Sequence, residues 1–155
     1  MRMSLPNERV CSMEELVPLM REQLAAGQKV CFSPRGTSML PMLRQGKDRV
    51  ELAPLKEQPK KFDLLLYQNA QGAYVLHRVV AVGETLSCMG DNQFVVEKGV
   101  CKEQIIGIVS GYSRGDKMRS VASFRHQAYC RLWHWSRPLR HFWRRGWGWL
   151  KRKIK

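Results

Sequence analysis

Apolar positions recur with two different periods along this chain, and the changes of period divide it. From Ser12 to about Ala26, Leu16, Leu19, Met20 and Leu24 stand at helical spacing, which predicts an amphipathic helix laying that face on a core. Ser12-Met13-Glu14-Glu15 has the form of a capping box, and Gly27 supplies a stop. Pro18 falls within the first two turns and weakens the helix without excluding it. From residue 29 the pattern shortens to strand-length runs. Strands are predicted over 29–33, 49–52, 62–68, 73–82, 84–89 and 105–110, with Asn69-Ala70-Gln71-Gly72 as a hairpin loop. Short strands without helices between them predict a mainly β chain, a coiled, barrel-like antiparallel body, and not alternating βα units.

After residue 119 the helical period returns. Phe124, Ala128, Leu132, Trp135, Leu139 and Phe142 project onto about one quarter of a helix circumference, with Arg137, Arg140 and Arg144 opposite. Pro138 is expected to kink or split this helix, and Gly146 and Gly148 to end it. The chain thus divides into an N-terminal helical segment (1–28), a β domain (29–118) and a basic, Trp-rich C-terminal helix and tail (119–155).

Charge sharpens that division. Residues 1–118 carry 16 Lys and Arg against 13 acidic groups, whereas residues 119–155 carry 11 Lys and Arg and no acidic group. All five tryptophans lie in the same basic segment. A basic helix with an apolar stripe suits an anionic membrane surface, contacted through residues 124–155. Packing on the β body with a solvated basic face is the plain alternative. Nucleic acid is a weaker third partner, because no recognised binding motif accompanies the charge. No stretch has the apolar length of a bilayer span, and Glu8, Glu14, Glu15 and Glu22 do not fit a secretion leader. A cytoplasmic protein is expected, with a peripheral membrane position left open by the tail.

The five cysteines, at 11, 31, 88, 101 and 130, are odd in number and lack Cys-x-x-Cys spacing, which favours free buried thiols over a disulfide framework or a zinc site. His126, His134 and His141 do not make an i, i+4 pair. Neither a metal nor a cofactor is expected.

Candidate chemistry sits at strand edges. Phe32-Ser33-Pro34-Arg35-Gly36-Thr37-Ser38-Met39-Leu40-Pro41 leaves a strand, turns sharply and presents the Ser38 hydroxyl. Leu76-His77-Arg78-Val79-Val80 places an imidazole on a later strand, and Gly90-Asp91-Asn92 an acid at a turn. An alcohol, a base and an acid are the groups that make serine a nucleophile at neutral pH. Each has an ordinary reading too: Ser38 as a helix N-cap, His77 as a core histidine, Asp91-Asn92 as a turn pair.

Three of these segments, with Ile105-Ile106-Gly107-Ile108-Val109 as a fourth, resemble the conserved boxes of type I signal peptidases and LexA-like autopeptidases. The resemblance covers roughly residues 29–112 and takes the form with histidine as base, where typical bacterial leader peptidases carry lysine. It implies a signal-peptidase or LexA-type fold and a serine endopeptidase cutting a peptide or protein substrate through an acyl-enzyme on Ser38. His77 would be the base and Asp91 the group that orients it. Thr37, Met39 and Pro41 would serve the oxyanion and the substrate, and Gly36, Arg78, Gly90 and Asn92 would support the site. Three departures stand out. Gly36 occupies the place of a serine oxyanion donor, a residue is inserted at Gly46-Lys47-Asp48, and Phe62 precedes Asp63 where the family favours glycine. The alternative function is an inactive peptidase fold that binds membrane or nucleic acid through its tail.

Overall fold

The computed structural model describes residues 12–140 and 142. Helix α1 spans Met13–Ala25, and its capping box forms in both directions between Ser12 and Glu15. Gly27, at φ 77°, takes the left-handed turn that ends it. Its buried face is Val17, Met20 and Leu24, with Leu16 partly covered. Leu19, expected on that face, is instead exposed.

Eight antiparallel strands follow: β1 (Val30–Phe32), β2 (Val50–Ala53), β3 (Leu64–Gln68), β4 (Tyr74–Val82), β5 (Leu86–Met89), β6 (Glu97–Val100), β7 (Ile105–Arg114) and β8 (Lys117–Ser120). They form one sheet in the order β1-β2-β7-β3-β4-β5-β6, with β8 added on β7. The chain is mainly β, as expected. The sheet is open, because β1 and β6 stand at its two ends, where a closed barrel would pair them. β6 and β8 were not predicted from the sequence pattern. Helix α2 spans Phe124–Trp135, and a further helical turn covers 137–140. The expected continuation beyond Phe142 lies outside the described residues. Among those residues no helix is long and apolar enough to cross a membrane.

The sheet separates two apolar clusters. One joins α1 to Met39, Met42, Leu43, Val50, Leu52, Leu64, Leu66, Leu76, Ile106 and Val109. The other gathers Leu65, Tyr67, Val79, Leu86, Cys88, Val100 and Ile105. Successive side chains on β3 and β4 alternate between them, so neighbouring residues of β4 face different surroundings. The cysteines among the described residues are free, but Cys31 and Cys101 are exposed, contrary to the expectation of buried thiols throughout.

Candidate active site

The serine segment leaves β1 and is fixed at several points. Gly36, at φ 88°, makes the turn, and its N–H donates to Gln45 Oε1 at 2.9 Å. Tight turns follow, closed by Leu40 N–H to the Thr37 carbonyl and Leu43 N–H to the Met39 carbonyl. No helix begins at Ser38, so the N-cap reading fails. Met39, Met42 and Leu43 are buried and anchor the segment; Met39 is chiefly a core residue. At the far end Arg114 donates to the carbonyls of Pro41 and Met42 at 3.0 and 2.8 Å. The inserted stretch is used as well. Asp48 is buried and receives two side-chain bonds and one backbone bond from Arg44, which hold its carboxyl below the usual range. Ser38 itself is half-buried and lines a cavity of about 90 Å³ with Tyr74, Val75 and Leu76 of the β4 region.

The acidic turn is locked to the serine turn through the backbone. Asn92 N–H donates to the Ser38 carbonyl at 2.7 Å, and Asn92 Nδ2 to the Thr37 carbonyl at 3.1 Å. A Cβ on Gly90 would stand 2.6 Å from the Ser38 carbonyl oxygen, so only glycine fits there without displacement. Asp91 is occupied by Arg78, which donates Nε to Oδ1 at 2.7 Å and Nη2 to Oδ2 at 2.8 Å. Tyr129 of α2 donates to the same carboxylate at 3.2 Å. Arg78 also reaches the Phe62 carbonyl, Cys130 Sγ and Met42 Sδ. Both members of this ion pair are buried, and it ties β4, the serine segment, the acidic turn and α2 together.

His77 lies between Leu76 and Arg78 in β4, but its side chain points to the other face of the sheet. There its Nδ1 is 3.2 Å from the Tyr67 hydroxyl, and Tyr67 donates its own proton to Glu97 Oε2. The group bonded to His77 Nδ1 is thus Tyr67, where Asp91 was expected. This chain of bonds favours one tautomer. With the phenol proton given to Glu97, the phenol oxygen accepts from Nδ1–H, and the proton-free lone pair is left on Nε2. Burial lowers the His77 pKa below its ordinary value, opposed by the charges of Glu97 and Asp91. Burial first, and the bond to Glu97 next, push the Tyr67 pKa upward, so the phenol keeps its proton. Among the described residues no hydrogen bond joins Ser38 to His77.

No family model, curated protein or solved structure matches this chain.

The site therefore stands on its own geometry. Beside the serine turn an open groove of about 660 Å³ runs between Leu40, Pro41, Asn92 and Phe94 on one wall and Trp133, Leu139 and Arg140 on the other. Its mostly apolar lining suits an extended peptide. Among the described residues no three His, Cys, Asp or Glu side chains converge as a metal site. Three site residues escaped the sequence reading. Glu97 sits on β6, which carries no alternating pattern; Tyr67 reads as an ordinary apolar strand residue; Gln45 lies in an unpatterned loop. Thr37 is exposed, with its carbonyl taken by Asn92.

Proposed function

We propose that this protein is a serine endopeptidase of the signal-peptidase-like type, with Ser38 as nucleophile and His77 as general base. The observation that carries the reading is the setting of His77: a buried imidazole whose Nδ1 faces the Tyr67 hydroxyl, itself bonded to Glu97, and whose pKa burial lowers, so that the neutral form is favoured. A buried histidine of either kind needs a partner for its ring N–H; a base also needs its second nitrogen left open, and among the described residues no hydrogen bond is formed at His77 Nε2. Tyr67 and Glu97 thus take the orienting role expected of Asp91, and Asp91 becomes a positioning residue that holds Arg78 and the two turns. Phe62 adds support. It sits at φ 80°, in the left-handed region that glycine adopts freely, at the position where the resembled families favour glycine. The assignment of the open sheet to the signal-peptidase and LexA type is part of the same proposal.

In this mechanism Ser38 Oγ attacks the scissile carbonyl as its proton passes to Nε2 of His77. The imidazolium then protonates the leaving amine, and water hydrolyses the acyl-enzyme by the reverse transfers. The backbone N–H of Ser38 is one oxyanion donor. The side-chain donor that Gly36 cannot supply would have to come from Thr37 or the substrate-bound turn.

A serine-reactive phosphonate tests the assignment. Labelling should be lost in Ser38→Ala and slowed by about 10²–10⁴ in His77→Gln. Absence of labelling, or labelling unchanged in Ser38→Ala, overturns it. The rival reading, a peptidase-like sheet without activity, is favoured by the missing Ser38–His77 bond and forecasts no labelling at any pH.

A further inference from the structure

Helix α2 and the turn after it are mounted with their polar face inward. His126 and Cys130 are buried against the body, Tyr129 and Trp133 bond to Asp91, and Arg137 and Arg140 donate to the carbonyls of Phe94 and Asp91. Arg140 also lies 3.5 Å from the centre of the Trp133 ring. Arg137 and Arg140, which the sequence places opposite the stripe, are thus used for docking, and the apolar stripe is turned outward. Phe124, Leu132, Trp135, Leu139 and Phe142 are each between 65 and 84% exposed. A helix that only packs on its own protein has no reason to present this face to water.

We infer that this stripe is a docking surface for an anionic lipid bilayer. Charge decides between the occupants. The segment 119–155 holds 11 cations and no acidic group, and exposed Arg125 and Arg131 flank the stripe on either side. A second copy of the chain would set that charge against its like, whereas acidic headgroups complement it. Two of the five exposed residues, Leu132 and Leu139, are aliphatic and offer no ring for a nucleobase, but they suit acyl chains. Trp135 and the two phenylalanines have the bulk and shape of interfacial anchors. The inference does not rest on the peptidase reading.

Flotation of the full chain with vesicles tests it, comparing phosphatidylcholine alone with phosphatidylcholine containing about one quarter phosphatidylglycerol. The chain should float with the anionic vesicles at low salt and not with the neutral ones. The triple variant Phe124→Gln, Leu132→Gln, Trp135→Gln changes only exposed positions away from the groove, and circular dichroism checks that it is folded. Its partitioning should fall by more than about tenfold. Arg125→Gln with Arg131→Gln should weaken binding and flatten its salt dependence. Failure of the wild-type chain to float, or equal flotation of the triple variant, overturns the inference. So does a dimer in sedimentation velocity that the triple variant dissolves, or a single-stranded oligonucleotide complex that needs the same three residues while vesicle binding does not.

Discussion

Replacing Asp91 with leucine separates two roles for that carboxylate. If Asp91 orients the catalytic imidazole, the variant folds well and loses activity. The structure gives the opposite forecast. Arg78 is 3% exposed, and without Asp91 its hydrogen-bond partners are a carbonyl and two sulfur atoms, with the Tyr129 ring beside it and the Asp63 charge more distant, none of which replaces a paired carboxylate. Breaking a buried ion pair from one side costs about 3–5 kcal/mol, a large part of the roughly 5–15 kcal/mol that stabilises a domain. Arg78→Met alone strands the carboxylate and should cost a similar amount. The double variant Arg78→Met, Asp91→Leu removes both charges and should recover most of the loss, ending within about 1 kcal/mol of wild type, which gives a coupling energy of about 5 kcal/mol or more. Urea unfolding followed by tryptophan fluorescence measures this, since Trp133 donates to the Asp91 carbonyl. With a slope of about 1–3 kcal/mol per molar, each single variant should lower the midpoint by about 2 M. The reasoning is refuted if Asp91→Leu stays within about 1 kcal/mol of wild type while phosphonate labelling falls by about 10³ or more.

Three further outcomes are expected. Labelling at Ser38 requires neutral His77, so its rate should rise with pH and level off below the ordinary imidazole value of about 6.5; Glu97→Gln removes an influence that raises this pKa and should move the midpoint lower. Burial, aided by Arg78, lowers the His126 pKa to about 4, so the unfolded chain takes up a proton that the folded one refuses between about pH 6.5 and 4; stability should fall by roughly 3 kcal/mol as pH drops through that window, and His126→Phe should flatten the fall in acid-titrated urea melts. Gly90→Ala should destabilise by about 1–3 kcal/mol and depress labelling, read by the same melts and probe, because its methyl group meets the Ser38 carbonyl.

The parts of the fold that local chemistry specifies were legible. The Ser12–Glu15 box, the Gly27 stop, the Asn69–Gly72 loop and the six predicted strands follow from capping, turn residues and apolar runs. β6 was not legible: Glu97-Lys98-Gly99-Val100 has one buried residue and owes its strand to pairing with β5. Glu97 was lost with it, and so was the relay at His77. The sequence placed Asp91 near the chemistry but could not say whether His77 or Arg78 would hold it, because adjacent strand residues point to opposite faces. Periodicity located the stripe on α2. Which side would turn inward depended on Arg78 and Asp91, whose appetite for polar partners is met by Tyr129, Cys130 and Trp133.

That ion pair also sets a distance. Because Asp91 is held by α2 on one side and its neighbour Asn92 bonds the backbone of Ser38 on the other, the Ser38 turn is tied to the helix at a fixed offset. A chain seated on lipid through that helix would carry its hydroxyl at one constant height above the headgroups. If Ser38 acts as proposed, the scissile bond would be chosen as a ruler does, by counting outward from the plane on which the chain rests.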